Sequence, residues 1–456
     1  MTRALRISQV GVRGVVGPGL TATHVVEFVA AFVAFLREPG VVVVARDPRA
    51  SGLMIREVTV AALLASGRDV VDLGIAPTPV LQHTITRLRA AGGISIGASH
   101  NAPEWNALKF FGGRGRYLST AEANELLDFY HLGRSCYVGH EALGTLTSDA
   151  GAIDAYLDQL AAAFDFDALR RLTVVVDCCN GTSALVLGRL GQRHGFRPVL
   201  INERLEGVAF AHEPSTTART VALQLAPVVV PLGAAAGFLF DADSDRVAIA
   251  DNRGRALSEE LVLPLVADYS LPREQGRTVI TNLSTTALVD DVVRAHGGRV
   301  MRVPVGRQAA ADALASLPPE TVALAGEGTG AVMMPRFNFA YDGIASMLAV
   351  LSLIVEGGRT LADMVDAYPR YVMLKGEVPL AASRMPAVLA RLRERFVTGR
   401  GGGVATIVDG LRVDWPDRWF HVRVSQTEPI VRVISEQRGE APEALHASLL
   451  EEVRRG

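Results

Sequence analysis

Three short stretches carry more chemistry per residue than the rest of the chain. GASHNAP, residues 97–103, sets Ser99, His100 and Asn101 directly after the apolar run GGISI. DADSDR, residues 241–246, follows Phe238–Phe240 and offers carboxylates at Asp241, Asp243 and Asp245, with Arg246 beside them. GEGTGA, residues 326–331, holds Glu327 and Thr329 between glycines. Each stands where a buried strand should end, the place at which α/β proteins keep reactive groups. A fourth stretch, RVSQTEPIVR at 423–432, gathers Arg423, Ser425, Thr427 and Arg432 at a hairpin-like connection.

The residue types narrow the chemistry. Carboxylates two apart on a chain leaving a strand in extended form would share one side, and three hard oxygen donors suit Mg²⁺. Arg246 could then fork onto a phosphate. An EF-hand loop also begins D-x-D-x-D, but its sixth and twelfth positions need glycine and glutamate, where this chain has Arg246 and Asn252. A haloacid-dehalogenase-type phosphatase fits the strand and the first two aspartates, with Asp241 as nucleophile, but Asp245 replaces its threonine or valine. A solvated acidic turn is the plain alternative.

Glu327 with Thr329 suits vicinal sugar hydroxyls. Arg423 and Arg432, with hydroxyls between them, suit an anion; a solvated turn would look the same. Ser99 lacks the second glycine of a G-x-S-x-G elbow, because Asn101 stands there, so no hydrolase triad is expected. Lys109 could reach back toward the serine after the turn Ala102–Asn106. His100 could move a proton, or merely bond locally.

These loops need elements to hold them, and the sequence writes one unit three times. Val41–Ala45, a helix from Ser51 to Gly67, Val70–Leu73 and Ile94–Ile96 form the first. Thr173–Val176, a helix from Thr182 or Ser183 to Gly195, Pro198–Asn202 and Phe238–Phe240 form the second. Thr278–Thr281, a helix from Ser284–Thr286 to Gly297, Arg299–Val303 and Val322–Ala325 form the third. Hydroxyl starts and glycine stops are the expected end groups of each helix. The rest reads as a small α+β lobe, with strands at Gly410–Val413, Phe420–Val424 and Val431–Ser435 and helices near 385–397 and 441–454. The expected fold is therefore three similar α/β domains with mixed sheets (1–145, 146–252, 253–370) plus a C-terminal α+β domain (371–456) around one central cleft.

The whole chain sets outer limits. At 456 residues it exceeds one hydrophobic core, and a formal net charge of -2 argues against a nucleic-acid or anionic-membrane surface. Cys136, Cys178 and Cys179 form neither a disulfide framework nor a metal motif, so a reducing cytoplasm is expected. The apolar runs Val25–Leu36 and Met347–Val355 fall short of a bilayer span, and the N-terminus lacks an apolar signal region.

Taken together, the four loops resemble in order and spacing the α-D-phosphohexomutase family. GVRG at 11–14, ARDPRASG at 45–52 and DLGIAPTPV at 72–80 are similar to further motifs of that family. The resemblance implies a phosphoryl-carrying Ser99, Mg²⁺ (one per chain) held by Asp241, Asp243 and Asp245 together with the Ser99 phosphate, and sugar contacts from Glu327 and Thr329. It puts the distal phosphate on Arg423, Ser425, Thr427 and Arg432, with Arg246 also on substrate. Arg13 and Lys109 match cations near the phosphoserine. Ala331 replaces a frequent histidine, which shifts acid/base work toward Lys109 or His100. Hexose 6-phosphate and hexose 1-phosphate would interconvert through a hexose 1,6-bisphosphate, which also acts as activator. The forms GEGTG and TEPIVR look like phosphoglucosamine mutases and their archaeal relatives, with phosphomannomutase/phosphoglucomutase as the alternative. Hexose phosphates are the expected partners, with no nucleic acid and no membrane, in a monomer or homodimer.

Overall fold

The computed structural model describes residues 5–205, 210–398, 402–425 and 430–455. Within them the repeated unit has one topology. In the first sheet Val42–Arg46 lies between Val70–Ile75 and Gly92–Ile96, all parallel, and Trp105–Gly112 returns antiparallel beside Gly92–Ile96. The second repeats this with Val174–Asp177 between Val199–Ile201 and Ala236–Phe240, then Val247–Asp251 returning. The third repeats it with Thr278–Asn282 between Arg299–Val303 and Val322–Glu327, then Ala331–Met333.

This explains the common place of the loaded loops. In every unit the third strand is buried along its whole length, as a parallel strand covered on both faces must be. The chain beyond it turns back as a hairpin. GASHNAP, DADSDR and the glycines after Glu327 are these three connections. The first sheet gains Arg6–Ser8 and Gly11–Val15 on one side and Leu146–Ser148 on the other. That last strand lies beyond the boundary expected at 145.

The glycine stops occur as expected: Gly67, Gly195 and Gly297 take φ of 72°, 71° and 69°. The hydroxyl starts do so only in part. Ser51 and Thr182 precede their helices but make no capping bond. Ser51 Oγ instead accepts from Asn106 Nδ2 at 2.9 Å, and Thr182 Oγ1 donates to the Ala242 carbonyl at 3.1 Å. Ser284 Oγ lies 2.9 Å from His421 Nδ1; only Thr286 serves a helix amide, accepting from Leu288 N at 3.2 Å. These helices start beside the loaded loops or the C-terminal lobe, so Ser51, Thr182 and Ser284 turn to those neighbours rather than to their own helix.

One continuous core runs through the three units, from Val43 and Ile85 through Tyr156, Val176 and Phe238 to Leu263, Val279 and Leu348. The helix Gly343–Gly357 is apolar nearly all round because it crosses this core. No single helix among the described residues is long and apolar enough to cross a membrane. The C-terminal lobe is an antiparallel sheet ordered Tyr371–Pro379, Ile430–Arg438, Arg418–Val424, Leu411–Asp414, Val404–Thr406. Helices Met385–Arg393 and Glu443–Arg454 pack on it around a separate core of Val388, Leu392, Phe420, Val433 and Leu449.

Candidate active site

Ser99 adopts a left-handed φ of 48°, a conformation that costs a non-glycine residue free energy and persists only when its surroundings enforce it. Arg49 does the enforcing. Its guanidinium donates to the carbonyls of Ser99 (2.7 Å), Asn101 (2.8 Å), Ala102 (2.7 Å) and Trp105 (3.1 Å). Its Nε pairs with Asp47 Oδ2 at 2.8 Å, and both side chains are wholly buried. A Cβ on Gly97 would lie 2.6 Å from that same Asp47 oxygen, so only glycine fits there. Thus held, Ser99 Oγ donates to Asp241 Oδ2 at 2.5 Å, across the boundary between the first two units.

The aspartates converge, though not as an extended chain would bring them. Residues 241–246 form a tight turn, with Ser244 at φ 60° and its amide 3.3 Å from the Asp241 carbonyl. The turn folds three alternate carboxylates inward until their oxygens lie within 4.8 Å of one another. Thr78 of the APTP stretch steadies the middle one: its Oγ1 donates to Asp243 Oδ2 at 2.8 Å, and its amide to the Asp243 carbonyl at 3.1 Å. No helix precedes the turn, which removes the EF-hand reading.

Three buried carboxylates together require cations. Lys109, opposite Ser95 in the neighbouring strand, places Nζ 2.5 Å from Asp243 Oδ2 and 3.5 Å from Asp245 Oδ2. Arg307 Nη1 donates to Asp245 Oδ2 at 2.6 Å. Burial and the charges of Asp245 and Asp243 push Asp241 well above the usual carboxylate range. Burial also works against ionised Asp245, but Arg307 and Lys109 outweigh it and hold that group below the usual range. Burial would lower Lys109, yet Asp243 and Asp245 keep it firmly protonated. The buried Oδ1 atoms of Asp243 and Asp245 accept no hydrogen bond. Those orphan oxygens, with Asp241, fit a hard divalent cation such as Mg²⁺.

A cavity of about 580 Å³ opens over this cluster, lined by Arg13, Ser99, His100, Lys109, Arg246, Arg307 and Glu327 among others. Arg13 Nη1 reaches Asn101 Oδ1 at 3.4 Å. Arg246 Nη1 donates to His100 Nδ1 at 3.0 Å. The Arg246 charge, then burial, then Arg13 lower His100 to about 3. A ring so held is neutral and orients Arg246, a poor setting for a proton acceptor. Thr329 Oγ1 turns back onto Glu327 Oε2 at 3.4 Å and is not among the cavity-lining residues. Ala331 stands opposite Glu327 in the hairpin register, buried.

The C-terminal residues sit apart. Arg423 and Arg432 are direct cross-strand partners, and Arg432 pairs with Glu377 at 2.7 Å. Ser425 N donates to the Ile430 carbonyl at 2.8 Å, while Thr427 lies outside the described residues. Arg423, Ser425 and Arg432 do not line the cavity. Burial lowers Arg423, and the charges of both Asp409 and Glu327 act back on it, so Arg423 lies within electrostatic reach of the loop that carries Glu327. Sequence reading missed Asp47, Arg49, Thr78 and Arg307 as site residues. The first three sit in motifs already noticed; Arg307 had no signal beyond opening a helix after Gly306.

Family profiles described as phosphoglucomutase/phosphomannomutase, alpha/beta/alpha domains I, II and III match residues 6–134, 154–254 and 259–371. A Thermococcus kodakarensis protein named phosphoglucomutase/phosphomannomutase is 31% identical over 456 residues, covering 98% of each chain. A Pyrococcus horikoshii protein named "probable phosphoglucosamine mutase" is 30% identical over 426 residues, covering 93% of this chain and 92% of its own. Among solved structures, a phosphoglucomutase/phosphomannomutase family protein from Burkholderia thailandensis superposes with TM-score 0.84 at 26% identity, covering 98% of this chain and 97% of its own. Fold and site thus define an isomerase that moves a phosphoryl group on a hexose. The chain belongs to the α-D-phosphohexomutase family. That membership, on a fold of three repeated units, sets aside the haloacid-dehalogenase phosphatase.

Proposed function

We propose that the chain interconverts a hexose 6-phosphate and hexose 1-phosphate through a phosphoryl group carried on Ser99, with glucosamine phosphates as the preferred pair. The observation that carries the reading is the 2.5 Å bond from Ser99 Oγ to Asp241, inside a cavity that Glu327 also lines. Ser99, Asp241, Asp243 and Asp245 would hold Mg²⁺. Bound there, the ion would neutralise the charge of a phosphoryl group in transfer.

The chain's own residues supply the rest. Arg49 fixes the serine loop, so the nucleophilic oxygen is presented without reorganisation. Lys109, Arg13 and Arg246 place positive charge around the oxygen that accepts or donates the phosphoryl group, where charge builds during in-line transfer. Glu327 grips sugar hydroxyls and Thr329 orients that carboxylate. Arg423, Ser425, Thr427 and Arg432 anchor the phosphate that is not reacting. A hexose 1,6-bisphosphate, released from one orientation and rebound in the other, returns its second phosphoryl group to Ser99.

The glucosamine preference rests on the GEGTG and TEPIVR forms and on the P. horikoshii relative's name. The T. kodakarensis relative's name supports the second reading, a phosphomannomutase/phosphoglucomutase. Ranking kcat/KM for glucosamine, glucose and mannose phosphates decides between them: a lower value for glucosamine than for either other sugar rejects the preference. Phosphopeptide mapping tests the carrier, and a label on any residue but Ser99 rejects it.

A further inference from the structure

Outside the cavity, the second unit holds a knot of polar groups that the proposed reaction does not use. Asp177, at the end of its strand, is fully buried and accepts from Cys179 N at 2.8 Å and from Asn202 Nδ2 at 3.0 and 3.1 Å. His212, beyond the neighbouring strand, brings Nε2 to Asp177 Oδ2 at 3.0 Å and donates Nδ1–H to the Glu213 carbonyl at 2.8 Å. Cys179 Sγ lies 3.7 Å from His212 Nδ1 and donates to the His212 carbonyl at 3.5 Å. Cys179, Asn180 and Asn202 all take left-handed φ near 50°, strain that only a tightly determined surrounding sustains.

A Cys–His–Asp set invites a nucleophile reading, but the geometry speaks against it. The Cys179 thiol is fully buried, gives its proton to a carbonyl, and is pushed up by burial, so it stays protonated. Burial alone would lower His212, but Asp177 and Cys179 raise it to about 10, and both its nitrogens face acceptors. The knot is an ion-paired fastening. The useful question is what it fastens.

Residues on either side of His212 touch both halves of the active site. The Phe210 ring lies 4.7 Å from the Arg49 guanidinium carbon, covering the group that grips the serine loop. Thr216, also buried, donates Oγ1 to the Thr329 carbonyl at 3.3 Å, in the sugar loop. One short piece of the second unit therefore bridges a first-unit loop and a third-unit loop, with His212 between the two contacts.

We infer that His212 is a positioning residue: by anchoring residues 210–216 to Asp177, it fixes the serine loop relative to the sugar loop. This rests on the mutase reading for its kinetic consequences alone. The two contacts should separate kinetically. Phe210→Ala loosens the serine loop and should lower kcat with KM little changed. Thr216→Val frees the sugar loop and should raise KM, and Thr216→Ser should restore it. His212→Ala releases both, and kcat/KM should fall about tenfold, since small misplacements of reacting groups are costly.

The test pairs kinetics on full-length protein with amide hydrogen exchange at residues 97–103 and 326–330. Expected for His212→Ala are faster exchange in both loops and the kinetic loss, with the melting temperature measured alongside. Wild-type exchange in both loops overturns the inference, and so does a lowered melting temperature with both loops and kcat/KM intact. If the wild type turns over no hexose phosphate, the mutase reading fails, and the exchange experiment still decides the role of His212.

Discussion

The two ends of the binding region are built differently. The end proposed for phosphoryl transfer is assembled from three units sharing one core, and its groups are bonded to one another: Ser99 to Asp241, Thr78 and Lys109 to Asp243, Arg307 to Asp245. The end proposed to anchor the other phosphate sits on a lobe with its own core, where Arg423 and Arg432 face each other across two strands. Transfer of a phosphoryl group punishes small displacements, so its groups are fixed in advance. An anchor proposed to hold an intermediate in two orientations would need charge more than rigidity. On the proposed function, the difference teaches that one site can combine a rigid reaction centre with a separately folded grip.

Removing the proposed nucleophile should break the comparison most completely. Ser99→Ala should cut turnover by about four orders of magnitude or more, in a coupled mutase assay, while hexose phosphate binding by calorimetry persists. Arg49→Ala comes next: it strands buried Asp47, and chemical denaturation should show a loss of about 3–5 kcal/mol. At the other end Arg423→Ala should leave the denaturation midpoint near wild type and raise KM about 10- to 100-fold, the worth of a charge-assisted phosphate bond. Equal destabilisation by the two arginine variants would erase the contrast.

A gentler change sharpens it. Thr78→Val keeps every carboxylate but loses the bond to Asp243, so the Mg²⁺ concentration for half-activation should rise about tenfold, in a metal titration of kcat. The smallest effect concerns the joint between lobes, where Lys375 of the C-terminal sheet lies 2.9 Å from Glu260, behind the loop of Gly328. Burial pushes Glu260 from 4.5 up to about 7, against the pull of Lys375. A carboxyl so raised stabilises the fold fully below its ordinary value and loses that contribution as pH rises through about 7. Wild-type melting temperature should therefore fall more steeply than that of Glu260→Gln between about pH 5 and pH 8.

Much of this is legible in the sequence. The three-fold unit was visible because buried parallel strands are written as apolar runs, and the loops after them as abrupt polar stretches. What failed was local chemistry with a distant partner. Ser51 and Thr182 look like helix caps in one dimension, but Asn106 and the Ala242 carbonyl claim them. The alternation of Asp241, Asp243 and Asp245 suggested an extended chain, whereas a left-handed Ser244 closes a turn that gathers them. His100 could by its position either move a proton or bond locally, and only the fold brings Arg246 to its ring.

By itself the sequence determined which groups are present and which strand each reactive loop follows, because hydrophobic patterning and turn residues are local properties. The tertiary structure alone decided which groups meet. Ser99 and Asp241 are 142 positions apart, and only the shared core of three units brings one within a hydrogen bond of the other. Arg307 likewise became part of the site solely because the third unit packs its helix against Asp245. Separation along a chain carries no distance in space until burial of apolar surface has fixed the packing.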